Sequence, residues 1–228
     1  EQEFAGADFK GGRTSKEEKT LFRPSDVAVG TDGAMYVADW YDPRVGGHAD
    51  LDNTLSGAIY RIAPKGFKPS SPKIDIQSTE GQLLALKSTA PNVRSIGFTA
   101  LAKQKEKSLE AVKSLLKDKN PYIAARGVFL LPHLGDAGLK LTREIINGDD
   151  ARLRLAALRS LRRSGNDHLQ HAEKLAKDSD PQVRRELATS LRNVPFDKSG
   201  EHIIELSKGY DGKDKTYLDA LGLSLIHI

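Results

Sequence analysis

The chain of 228 residues contains no cysteine. Disulfides, zinc–thiolate sites, iron–sulfur clusters and covalently attached c-type haem are therefore excluded within it, although the compartment stays open. It also lacks any run of about 18 apolar residues, the length a membrane-spanning helix needs. No apolar signal segment opens it. The first residue is Glu1 and not Met, so the chain is expected to begin inside a longer precursor. Charge of one sign is scarce too: the net charge of +4 is only mildly basic and does not demand a nucleic-acid partner. What is present is 38% apolar and 29% charged residues, a balance that suits thin layers better than one thick core.

The strongest internal signal is a period of 30 residues. Pro91, Pro121 and Pro181 fall in step, with Ala151 in the remaining place. Two positions later stand Val93, Ile123, Leu153 and Val183; seven later, Phe98, Val128, Leu158 and Ala188; ten later, Leu101, Leu131, Leu161 and Leu191. The same step reaches Leu218 and Leu221. These offsets cluster on one face of an α-helix. Proline suits the first turn, where its missing N–H has no partner to lose. Asn120, Asp150 and Asp180 precede these helices as N-caps. A second apolar set follows in each repeat: Leu109, Val112, Leu115 and Leu116; Leu139, Ile145 and Ile146; Leu169, Ala172, Leu175 and Ala176. The fourth, with Ile203 and Leu206, slips by about one residue. Helix pairs this short bury their apolar faces only by stacking on neighbours. The columns resemble short bacterial HEAT repeats, and Arg94, Arg154 and Arg184 match that family's Pro-x-Val-Arg signature, with Ala124 departing from it. The expected core line is Val93, Leu101, Ile123, Leu131, Leu153, Leu161, Val183 and Leu191.

Residues 22–66 read as strands. Val27 and Val29 alternate with small residues, Thr31-Asp32-Gly33 makes a turn, and Met35 to Ala38 returns. After a 15-residue loop from Asp42 to Ser56, Gly57 to Ile62 forms a third strand. Short antiparallel strands of this kind suggest a propeller blade.

Three groups of residues carry a closer likeness: Arg23-Pro24-x-Asp26-Val27, Asp32-Gly33-x-x-Tyr36-Val37-x-Asp39-Trp40-Tyr41, and Gly57-x-Ile59-Tyr60-Arg61-Ile62. They resemble the final blade of the membrane-bound dehydrogenases of planctomycetes and verrucomicrobia. That family carries a sugar-dehydrogenase-like β-propeller, then HEAT repeats, and often a C-terminal haem-binding domain with a Cys-x-x-Cys-His site. The resemblance implies an interior fragment of a periplasmic or secreted, membrane-associated quinoprotein. The parent would oxidise a sugar or another alcohol with pyrroloquinoline quinone and calcium, and pass electrons to haem in a domain outside this chain. It implies a cofactor-facing loop in which His48 accepts a proton, Arg44, Asp39 and Tyr41 bind the cofactor, and Asp42, Asp50 and Asp52 hold the metal. The chemistry is consistent: carboxylates suit calcium, Arg44 can fork onto a cofactor carboxylate, and an imidazole can serve as base. Each residue also has a plain structural role open to it. Asp39 and Asp42 can cap turns, Asp50 and Asp52 can be solvated, and Trp40 and Tyr41 can simply pack. The alternative function is a non-enzymatic propeller and HEAT protein that binds a polysaccharide or a protein partner.

The expected fold is thus α+β, mostly α: residues 1–66 as the C-terminal part of a propeller, 67–90 as a linker with a junction helix, and 91–222 as a right-handed α-solenoid of HEAT-like repeats. Residues 223–228 are expected to be a non-native tail. Within 150–195, ten Lys or Arg stand against six Asp or Glu. Arg159, Arg162, Arg163, Arg185 and Arg192 could line one ridge, but an ordinary solvated face is expected there and no nucleic acid. His168 and His171 have metal-ligand spacing, but Asp167 is the one nearby acid and a solvated helix without a metal is expected.

Overall fold

A computed structural model describes residues 24–39 and 58–225. The chain divides into two compact units: one runs to Ile74 and includes Ser88–Ser95, the other comprises Asp75–Lys87 and everything from Ile96 onward.

The first unit holds a three-stranded antiparallel sheet of β1 (Pro24–Val29), β2 (Met35–Asp39) and β3 (Ala58–Ile62), in that spatial order. Val27 lies opposite Val37 and Val37 opposite Tyr60, while Val29, Met35 and Ile62 form the next row. Because strand side chains alternate between faces, these six share one side of the sheet. The β1–β2 turn needs its glycine: Gly33 has φ of +84°, a conformation that costs other residues more. Asp32 organises the turn. Its carboxylate accepts the Ala34 N–H at 3.0 Å, the Tyr36 hydroxyl at 3.0 Å and Arg61 Nε at 3.1 Å. The Ala34 N–H foremost, with Tyr36 and Arg61, holds this carboxyl below its ordinary range. The three strands fall where the sequence placed them, and among the described residues they form one small antiparallel sheet with β1 and β3 at its edges.

The helical unit opens with α1 (Thr79–Lys87), inside the segment expected to carry a junction helix. Helix pairs follow. The first helices of the pairs are α2 (Pro91–Lys103), α4 (Pro121–Leu130), α6 (Ala151–Arg163), α8 (Pro181–Ser190) and α10 (Lys215–Ser224). The second helices are α3 (Leu109–Lys113), α5 (Gly135–Ile145), α7 (Ala172–Ala176) and α9 (Phe196–Lys208). Turns of 3-10 helix extend α3 at both ends and lead into α7. The arrangement is HEAT-like: α4 packs on α6, α6 on α8 and α8 on α10. The expected caps form. The side chains of Asn120, Asp150 and Asp180 accept N–H groups from the first turns of α4, α6 and α8.

Two apolar clusters, one around Leu101, Leu115 and Leu131 and one around Leu158, Leu161, Leu187 and Leu206, both pack against Leu116 and Ile145, which join them. Leu101, Leu131, Leu161, Val183 and Leu191 are fully buried, whereas Val93, Ile123 and Leu153 are half-buried. Glycine permits one close approach: a Cβ on Gly97 of α2 would stand 2.6 Å from the Gln82 carbonyl oxygen and 2.7 Å from Leu86 N of α1. The period breaks at the fifth first-helix. Asp214 caps α10 by accepting the Tyr217 N–H, so α10 starts four residues later than a step of 30 from Asp180 would place it. Tyr217 takes the core position, and Leu218, expected in the core column, is half exposed. One of the four extra residues already precedes α9, the slip at Ile203 and Leu206; the other three fall in the turn Gly209–Asp214, in which the Asp211 side chain accepts the N–H groups of Lys213 and Asp214.

Candidate functional site

Of the residues expected around a cofactor, Tyr41, Asp42, Arg44, His48, Asp50 and Asp52 lie outside the described residues. Asp39 is described. It ends β2, paired with Pro24 and Ala58, and is buried. That position fits the capping role as readily as a binding one.

The periodic arginines have one shared geometry, and it is structural. Arg94 Nη1 donates to the carbonyls of Ser88 and Thr89 at 3.2 and 2.6 Å. Arg154 Nη1 donates to Gly148 and Asp149 at 3.0 and 2.8 Å. Arg184 Nη1 donates to Asp178 and Ser179 at 2.5 and 3.3 Å. Each guanidinium thus bonds the carbonyls five and six residues upstream, in the turn that enters its own helix. Two of them also reach into the next repeat. Arg154 forks onto the Asp178 carboxylate, and Arg184 donates to the Gly209 carbonyl and the Tyr217 hydroxyl. Burial would raise the Asp178 carboxyl, but the Arg154 fork and the Asp180 N–H outweigh it and leave it below its ordinary range. Asp118, the counterpart of Asp178, pairs with Lys87 of α1 at 3.2 Å and not with Arg94.

The candidate basic ridge is largely spent on internal contacts. Arg159 and Arg162 converge on the buried Glu186 carboxylate at 2.7 and 3.2 Å. Arg185 lies 3.5 Å from Asp214, and the Arg163 guanidinium sits over the Phe129 ring. The sequence offered no cue to Glu186, because its partners stand 27 and 24 residues upstream, on a different helix. His168 and His171 are half-buried in the turn before α7. Among the described residues no group of three or more His, Asp or Glu side chains is placed to hold a metal ion.

An open feature remains on the second-helix side. A groove of about 350 Å³ runs between α7 and α9, lined by Ala176, Lys177, Glu201, Ile204, Glu205 and neighbouring side chains. Ile204 is 55% exposed. Both lysines at the groove are drawn to glutamates on their own helices, Lys177 to Glu173 at 3.5 Å and Lys208 to Glu205 at 2.8 Å. Glu201 stands exposed beside Ile204. Sequence reasoning missed this site. Its one available signal was Ile204 beside the buried Ile203, an apolar residue just outside the core stripe of α9.

No family model matches the chain. No curated protein matches it either. Solved structures do. One is the complex of CpcE and CpcF of phycocyanin lyase from Nostoc sp. PCC7120, 17% identical, with a TM-score of 0.46 over 66% of this chain and 99% of that one. Another is an engineered protein, 17% identical, with a TM-score of 0.37 over 64% of this chain and 77% of that one. Both likenesses are too distant to say what this chain binds or does. The expected kinship with the planctomycete and verrucomicrobial dehydrogenases is nevertheless corrected: no family model and no curated protein of that kind matches the chain, and the solved neighbours give it no support. The repeats form a HEAT-like helical stack in which Arg154, Arg159, Arg162, Arg184 and Arg185 bond across to the next repeat.

Proposed function

We propose that the helical repeats are a non-catalytic scaffold that binds a protein partner in the groove between α7 and α9. The observation that carries this reading is Ile204, a large apolar side chain more than half exposed beside an open groove. Buried anchor residues framed by polar rims are the usual energetic centre of protein interfaces. Here Ala176 and Ile204 offer the apolar floor. The rim carries Glu201 together with Glu173 and Glu205, the latter two shared with Lys177 and Lys208. The fitting ligand is a peptide segment with one apolar anchor flanked by Lys or Arg.

Selection of a displayed random-peptide library on the full chain tests this. Enriched peptides are expected to carry an apolar residue between basic ones. They should weaken at least about tenfold against Ile204→Asp, the loss expected at a central anchor. Absence of enrichment, or equal binding to wild type and Ile204→Asp, overturns the reading.

A further inference from the structure

The turn that leads into α7 holds two histidines in an unusual state. Asp167 caps it by accepting the Leu169 N–H at 2.9 Å, and the His171 N–H closes it on the His168 carbonyl at 3.2 Å. The Nε2 atoms of His168 and His171 are both sealed from solvent and have no hydrogen-bond partner, and neither does Nε of Arg143. Buried polar atoms are nearly always paired, so three such nitrogens around one repeat call for an explanation.

The surroundings supply one. His168 faces Arg162 of α6, the backbone of Ser190 on α8, and Asp167 of its own turn. His171 faces Arg143 of α5, Lys174 of α7 and the same Asp167. Each imidazole therefore looks onto cations from the elements packed against it. The acid that faces both, Asp167, is exposed and already accepts a backbone N–H. A neutral imidazole fits this setting. A protonated one brings a charge beside like charges and, at Nε2, an N–H with no acceptor in place; the Asn166 and Ser190 backbone beside His168 offsets this only in part.

We propose that the turn from Asp167 to His171 is an acid-released latch. Protonation of His168 and His171 frees the turn from the cations beside it and α7 from α8 and α9, while the first helices stay stacked. The short α7 contributes Ala172, Leu175 and Ala176 to the core, and a five-residue helix held by so few side chains is the natural unit of local opening. Since α7 forms one wall of the groove, release removes that wall. The latch itself does not depend on what the groove binds.

Burial first, then Arg162 or Arg143, lowers the two imidazoles from the ordinary value of 6.5. The native state thus prefers them neutral. Their contribution is complete above pH 6.5, falls as pH drops through the lowered values, and levels off beneath them.

Thermal melts of the full chain between about pH 7.5 and pH 5, above the carboxylate range, read this out. Wild type should lose at least about 2 °C in Tm over that interval. The double variant His168→Gln/His171→Gln should lose less than half as much, while His133→Gln, altered at an exposed position, should match wild type. Should the double variant not fold, imidazole NMR titration of the wild type decides: two of the six histidines should titrate below the rest. Amide exchange, normalised for its intrinsic pH dependence, should accelerate at residues 167–176 before it does in α8. A flat wild-type profile, an unchanged slope in the double variant, or six ordinary titrations overturns the latch.

Discussion

Arg154 and Asp178 face each other as a two-point fork across two repeats, Nε to Oδ2 at 2.8 Å and Nη2 to Oδ1 at 2.7 Å, with both side chains about nine-tenths buried. The same guanidinium ties down the Gly148 and Asp149 carbonyls, so one residue joins the turn entering α6 to the turn entering α8. Removing one partner of a buried pair leaves the other uncompensated, a loss of about 3–5 kcal/mol. Arg154→Leu should therefore lower unfolding free energy by about that much at neutral pH. Because the Asp178 carboxyl is held below its ordinary 3.8, its contribution is present above that value and is lost as pH falls through the lowered one. The gap between wild type and variant should narrow in acid. Urea unfolding at pH 7 and at about pH 3 measures both, and a gap independent of pH would remove Asp178 from the account.

Register in the last first-helix separates Tyr217 from its neighbour. Tyr217 is 1% exposed and donates its hydroxyl to the Leu206 carbonyl at 2.9 Å, whereas Leu218 is 50% exposed. Tyr217→Ala should cost about 3–5 kcal/mol, as other large core truncations do, and Leu218→Ser no more than about 0.5 kcal/mol. Leu161→Ala, at a fully buried position where the period holds, should cost about 2–5 kcal/mol. Chemical denaturation of the three variants checks the assignment. Equal losses at 217 and 218 would restore the unbroken step of 30.

The caps offer a graded test. Asn120, Asp150 and Asp180 each accept a first-turn N–H, and Asp150 accepts two, from Arg152 and Leu153 at 2.9 and 3.4 Å. Replacing any of them with Ala should cost about 1 kcal/mol. Asp150→Ala should cost the most, since it also frees Arg152, held at 3.1 Å. Melting temperatures of the three variants would show it, and a loss-free Asp150→Ala would mean that solvent serves that helix end equally well.

The repeats could be read in the sequence because their signals are local. A proline in the first turn, an N-cap before it and apolar residues at helical spacing act within one helix, so four repeats of each column were enough to place the core. Ile203 and Leu206 were found in the same way, slip included. The strand pairings and the Gly33 turn were equally local. Beyond that range the chain alone was a poor guide. Half-burial of Val93, Ile123 and Leu153 depends on how closely neighbouring helices approach. The four-residue insertion before α10 moved Leu218 out of the column and Tyr217 into it, which the caps reveal and a fixed period hides. A resemblance carried by a few strand residues pointed to a dehydrogenase family, because a short hairpin fixes its own turn and pairing but not the larger protein it sits in. The arginines were visible as a column, yet their roles were settled by partners up to 33 residues away. Glu186, the groove at Ile204 and the sealed histidines exist only once α5 through α9 are stacked. Helix periodicity determines which face is buried; only the packed neighbours decide which charges are paired, which imidazoles lose their solvent and which apolar side chain is left facing water.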